Sequence, residues 1–204
     1  MVVGEDFVWM HFPKCAGHTI DRALQVLRGR RNIAFDVAET GWHDSVRDRV
    51  QRRPGFEAAG KTVICGFRRL PHWLLSRVHY DASRPPYRMV SREMLCRGQF
   101  YEESGDIQTA DIYVQHYGAS PVDRWVRTEH LAEDFQRQFG DILGSQLARA
   151  AVRKLAKVVN GTRLNYVRRL DFYFTPAELD GLYAANPSWA ELEANLYGDV
   201  LRIS

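Results

Sequence analysis

The sequence predicts an α/β fold built on a central parallel β-sheet, and three observations predict it. Short apolar runs at Phe7–Phe12 and Lys61–Phe67 each stop at a tight turn and give way to residues at helical spacing. A strand that hands over to a helix twice in one chain reads as βαβ units, whose crossovers place their strands parallel. The tail carries helix-start signals and no further strand, which predicts a helical C-terminal part.

The elements follow in chain order. Phe7, Val8, Trp9, Met10, His11 and Phe12 form a mostly apolar run short enough for a buried strand, with His11 a packed residue within it. Pro13-Lys14-Cys15-Ala16-Gly17 ends it. Ile20, Ala23, Leu24 and Leu27 then share one helix face, and the helix closes near Gly29. Asn32 to Ala38 reads as a second strand and Asp44 to Arg53 as a short helix. Lys61 to Phe67 is the next strand, entering a helix that runs to about Tyr80. Arg84, Pro85, Pro86, Arg88, Arg92 and Arg97 fall among polar and Gly residues, so the segment from Asp81 to Asp111 is expected to be an irregular insertion or lid. Val122 to Arg127 reads as a strand, and helices are expected over Glu129–Phe139 and Gln146–Val158. Thr175-Pro176-Ala177-Glu178 and Ser188-Trp189-Ala190-Glu191 have the spacing of capping boxes, in which a hydroxyl caps the helix and the Glu reaches back.

Length and composition bound the function classes. The 204 residues suit one domain, taken as 1–204. A net charge of +3 is too small to argue for nucleic-acid binding. No apolar run reaches a membrane span, and Met1 to Val8 lacks the pattern of a signal peptide. Cys15, Cys65 and Cys96 are odd in number and show no metal-ligand spacing, which predicts a reduced cytoplasmic chain without a metal site. The basic residues are 24 Arg and only 4 Lys, so each Lys position carries information. One of the four, Lys14, falls in the turn after the first strand.

That turn has the parts of a phosphate cradle. Backbone N–H groups at a helix start point at an anion, and Lys14 and Thr19 can add an ammonium and a hydroxyl. The nucleoside triphosphatase loop GxxxxGK[ST] is absent, because Lys14 precedes Gly17. The segment resembles the 5′-phosphosulfate loop of the sulfotransferases that use 3′-phosphoadenosine 5′-phosphosulfate (PAPS), P-K-x-x-G-[ST]-[ST] directly after a strand. Pro13, Lys14, Gly17 and Thr19 match it, and His18 stands at a position usually Ser or Thr. Phe67-Arg68-Arg69-Leu70-Pro71-His72-Trp73-Leu74-Leu75-Ser76 resembles the same family's 3′-phosphate signature. Arg68 and Ser76 have its spacing, and Arg69 and Leu70 depart from its Asp-Pro. Val126 to Phe135 and Val159 to Arg163, the latter followed by Phe174-Thr175-Pro176-Glu178, resemble two later segments in the family's order.

The resemblance implies a three-layer α/β sandwich with a central parallel sheet, similar to the P-loop nucleoside triphosphatase fold. It implies transfer of a sulfuryl group from PAPS, leaving PAP, to a hydroxyl of a carbohydrate or small-molecule acceptor. It further implies that Lys14, Cys15, Ala16, Gly17, His18 and Thr19 hold the 5′-phosphate, with Lys14 on the bridging oxygen. Arg68, Ser76 and Arg163 would hold the 3′-phosphate. A general base is needed, and His43 is the candidate because an imidazole suits proton removal near neutrality, with Glu39 the alternative. His72, His79 and His116 either line an acceptor cleft or sit on helices. Two other classes stay open: a nucleotide-dependent phosphotransferase, and a non-catalytic module that binds PAP or another nucleotide.

Overall fold

A computed structural model describes residues 1–27, 29, 33–35, 41–155 and 165–203. In chain order these form β1 (Val2–Val3), β2 (Phe7–Met10), α1 (Gly17–Leu24), β3 (Ala34–Phe35), α2 (Val46–Arg52), β4 (Thr62–Phe67), α3 (Leu70–Ala82), α4 (Arg92–Cys96), β5 (Gln99–Tyr101), β6 (Ile107–Thr109), α5 (Asp111–Gly118), β7 (Arg124–Arg127), α6 (Leu131–Leu143), α7 (Ser145–Leu155), α8 (Pro176–Ala184) and α9 (Pro187–Tyr197). The fold is α/β. The chain divides into two compact units, Met1–Phe67 with Tyr117–Gly161, and Arg68–His116 with Thr162–Ser204.

The first unit holds a five-stranded sheet in the order β3-β1-β2-β4-β7. Its central pairs are parallel, Phe7 opposite Thr62 through Met10 opposite Cys65, and Ile64 opposite Arg124 through Phe67 opposite Arg127. The central pairs are parallel as expected, while β1 runs antiparallel to both β2 and β3 and makes the sheet mixed. The Gly4 N–H donates to the Phe7 carbonyl and closes the tight return from β1 to β2. Two residues of strand are too short to show a period, which is why Val2–Val3 gave no signal. Of the predicted strand over 32–38, Ala34–Phe35 is strand, and 32 and 36–38 lie outside the described residues.

All four β2 residues are buried, as in a sheet covered on both faces. Trp9, Ile64 and Val126 form a core with Ile20, Ala23 and Leu24 of α1, Phe135 and Phe139 of α6, and Ala148 and Ala151 of α7. Phe139 meets Phe7 edge-on at 5.6 Å and stacks on Phe135 at 4.5 Å. Burying each such side chain is worth about 1.5–3 kcal/mol. The face predicted for α1 is therefore the one that packs.

The second unit centres on Trp73 of α3, whose ring lies 4.7 Å from Trp189, 5.5 Å from Phe100 and 5.4 Å from Tyr113. The 81–111 segment contains α4 and the antiparallel pair β5-β6. Arg77 ties this hairpin to α3, donating to Asp81 at 2.7 Å, the Tyr113 hydroxyl at 3.0 Å and the Tyr101 carbonyl at 3.1 Å. The capping box at Thr175 and Glu178 is present. The one at Ser188 and Glu191 is not. Helix α9 opens at Pro187, two residues ahead of the start a Ser188 cap would set, and the buried carboxylate of Asp111 accepts the N–H groups of Ser188 and Trp189 at 2.9 and 2.8 Å. Among the described residues, no helix is long and apolar enough to cross a membrane.

Candidate functional site

The turn between β2 and α1 is shaped by backbone strain. Lys14 and Ala16 both adopt left-handed conformations, with φ of 62° and 60°. A residue other than glycine pays about 1–3 kcal/mol for such a conformation, and strain of this kind collects at functional turns. The Cys15 N–H donates to the Phe12 carbonyl at 3.2 Å, and the Thr19 N–H to the Ala16 carbonyl at 2.9 Å. The Cys15 side chain is buried. Helix α1 opens at Gly17, so the Gly17 and His18 N–H groups belong to the first turn, where a helix has no carbonyl partner of its own to offer. Lys14 and Thr19 are half-buried and His18 is exposed. Gly17 has a packing reason to be glycine: a Cβ there would lie 1.6 Å from Cδ2 of His11.

His11 follows the end of β2 and is buried, as the sequence suggested, but it also organises what surrounds it. Its ring lies 5.0 Å from that of His18 and 4.7 Å from that of His43. Its Nδ1 is 3.7 Å from an oxygen of Asp21, one helical turn into α1. The same carboxylate accepts the indole N–H of Trp9 at 3.0 Å and of Trp42 at 3.1 Å. Burial, then the facing His43 and His18, hold the His11 imidazole well below its ordinary pKa, so it is neutral at pH 7.

His43 sits in the turn before α2 and is exposed. Its Nδ1 is 2.9 Å from the His11 carbonyl. A carbonyl only accepts, so Nδ1 carries the proton and Nε2 keeps its lone pair when the ring is neutral. The Tyr117 hydroxyl donates to the His43 carbonyl at 2.5 Å, and its ring stacks on Phe12. The turn itself is braced by Asp44, paired with Arg49 at 3.2 Å and Arg52 at 2.8 Å, while Arg49 also donates to the Gly41 carbonyl at 2.9 Å. Asp44 is therefore a brace, and Ser45 caps α2 in a capping box with Asp48.

Lys14, Cys15, Ala16, Gly17, His18, Thr19 and His43 all fall in the first unit. Arg68 and Ser76 fall in the second. The Arg68 carbonyl accepts the Trp189 indole N–H at 3.2 Å, and Ser76 is buried in α3. Arg69, the departure from the family signature, is an anchor: it pairs with buried Glu193 at 3.2 Å and with Asp199 at 2.7 Å. Glu193 accepts the Leu70 N–H at 2.7 Å, so the start of α3 already faces a carboxylate of the chain. His72 and His79 lie on α3 and His116 on α5. His79 stacks on Tyr166 at 4.5 Å. Glu39 and Arg163 lie outside the described residues.

Sequence reading missed Asp21 and Tyr117 as supports, because each acts through a partner 12 to 74 positions away. Among the described residues, no group of three or more His, Cys, Asp or Glu could hold a metal ion. No family model matches the chain, and no curated protein or solved structure does either.

Proposed function

We propose that the chain is a PAPS-dependent sulfotransferase acting on a hydroxyl of a carbohydrate or small-molecule acceptor, on a fold similar to the P-loop nucleoside triphosphatases. One observation carries the reading. The carbonyl of His11, two residues before the Pro13–Thr19 turn, is the group that fixes the tautomer of His43. The candidate base is thus held against the backbone two residues before the candidate anion turn. The donor set of the turn fits a phosphosulfate: a compact ammonium, a hydroxyl, first-turn N–H groups and a neutral imidazole able to donate.

Bound PAPS supplies an activated sulfuryl group, and in-line transfer asks the protein mainly for positioning and charge stabilisation. Lys14 places its charge on the leaving phosphate oxygen. The Thr19 hydroxyl and the N–H groups at the start of α1 orient the 5′-phosphate. Nε2 of His43 takes the proton of the acceptor hydroxyl as the new bond forms. Arg68, Ser76 and Arg163 are assigned to the 3′-phosphate by the sequence resemblance. A reducing, cytoplasmic setting fits the three free cysteines.

Ligand preference tests the reading. PAP at a hundredfold excess over its Kd should stabilise the protein by about 3 kcal/mol, and ATP with Mg²⁺ should leave it unchanged. Stabilisation by ATP with Mg²⁺ and none by PAP would replace the sulfotransferase with a phosphotransferase.

A further inference from the structure

Arg68, Arg69 and Leu70 open the second unit, and all three are tied to its C-terminal end. The Arg68 carbonyl accepts the indole N–H of Trp189 at 3.2 Å. The Leu70 N–H donates to Oε2 of Glu193 at 2.7 Å. Between them, the Arg69 guanidinium bridges Oε1 of Glu193 at 3.2 Å and Oδ1 of Asp199 at 2.7 Å, and it lies 4.3 Å from the centre of the Tyr197 ring. Trp189 and Glu193 are four residues apart on α9, so a single helix face meets three consecutive residues. Both are fully buried. Oε1 of Glu193 also accepts the Tyr183 hydroxyl at 2.7 Å and the Leu201 N–H at 3.1 Å. A buried carboxylate that holds this many donors is a stiff anchor, because moving it leaves donors or the charge unpaired. A side chain at the N-cap ordinarily serves a first-turn N–H locally. Arg69 stands at that position of α3 and makes no such bond. The acceptor comes from α9, 123 residues on.

We propose that Arg69, Trp189 and Glu193 are positioning residues for Arg68: they fix the backbone that carries its guanidinium, and through it they set the preference for a nucleotide bearing a 3′-phosphate. The inference rests on reading Arg68 as a 3′-phosphate contact. An arginine grips phosphate through two parallel N–H donors, so the strength of the grip depends on orientation. A long side chain on a loose turn would also lose more freedom on binding, and a held backbone reduces that loss. Arg68 is held at its own carbonyl and through the two residues that follow it. Arg69 spends its charge on Glu193 and Asp199, which makes it an anchor beside Arg68 and not a second anion contact.

The probes are PAP and adenosine 5′-monophosphate (AMP), which lacks only the 3′-phosphate. Titration calorimetry of the full chain with each gives two Kd values, and their ratio isolates the 3′-phosphate contact. The unaltered protein should prefer PAP by about 100-fold or more, the worth of two charge-assisted hydrogen bonds. Arg68→Met should remove most of that preference. Glu193→Gln should lower it by about tenfold and leave AMP affinity within about threefold. Arg69→Met, at a site partly open to solvent, should do the same and serves if Glu193→Gln fails to fold. A merely structural role would weaken both nucleotides together or move only the Tm. Equal weakening of PAP and AMP, or a preference that survives both variants, overturns the proposal. Its failure separates from that of the reading beneath it. A preference lost in Arg68→Met but intact in Glu193→Gln and Arg69→Met retires this inference alone. Equal affinity for PAP and AMP in the unaltered protein retires the reading of Arg68 and this inference with it.

Discussion

In the proposed reaction, Lys14 and His43 carry the chemistry at the residue scale, and His11 carries the geometry. On the proposed reading the left-handed backbone at Lys14 is a cost kept for a charge, so one substitution there separates stability from function. Lys14→Gly relieves the strain and should leave stability unchanged or raised by up to about 1 kcal/mol, while turnover falls by at least about 100-fold. Denaturant titration and a steady-state assay check the two halves. His43→Gln should lower kcat by about 100-fold to 10,000-fold and leave PAP affinity within about twofold, read by calorimetry. His11 makes a prediction about pH. The unfolded chain protonates this imidazole near its ordinary pKa of 6.5, and the folded chain resists to a lower pH. Protons therefore favour unfolding: the contribution is intact above about pH 6.5 and is lost as pH falls below it. The unaltered protein should lose more stability between about pH 7 and pH 5.5 than His11→Gln does, in matched urea titrations. The Lys14 turn and His43 were legible as residue types in a pattern. The tautomer lock was not, because it joins a carbonyl at position 11 to a ring at position 43 and no local spacing encodes it.

At the scale of elements, α1 shows how a helix start is fixed from outside itself. Gly17 makes room for the His11 ring, which leans on the first turn. Gly17→Ala should destabilise by about 1–3 kcal/mol through overpacking, and most of that cost should vanish in a His11→Ala background. A double-mutant cycle by thermal unfolding reads the coupling. Helix α9 makes the converse case. Its sequence spells a capping box at Ser188, but the cap is Asp111, 77 residues earlier. Asp111→Ala leaves two N–H groups at a buried helix start without their acceptor and should cost about 1–3 kcal/mol, whereas Ser188→Ala should cost less than about 0.5 kcal/mol. The box at Thr175 was readable because both of its partners are local. The same distinction explains Arg69, whose partners Glu193 and Asp199 stand more than 120 residues away.

For the chain as a whole, the strand–turn–helix rhythm and the apolar face of α1 were enough to give an α/β fold with parallel central pairs. The antiparallel edge was invisible because β1 and β3 are two residues each, and a strand that short takes its identity from its neighbours. The surplus of Arg over Lys said little about partners, but the place of one rare Lys pointed to the turn on which the functional account rests. The most direct test of that account is incubation of the chain with PAPS and a panel of hydroxylated carbohydrates and small molecules, with products read by mass. The account predicts a sulfated product and equimolar PAP from at least one acceptor, with both lost in Lys14→Ala. A panel with no sulfated product, or sulfation undiminished in Lys14→Ala, would contradict it.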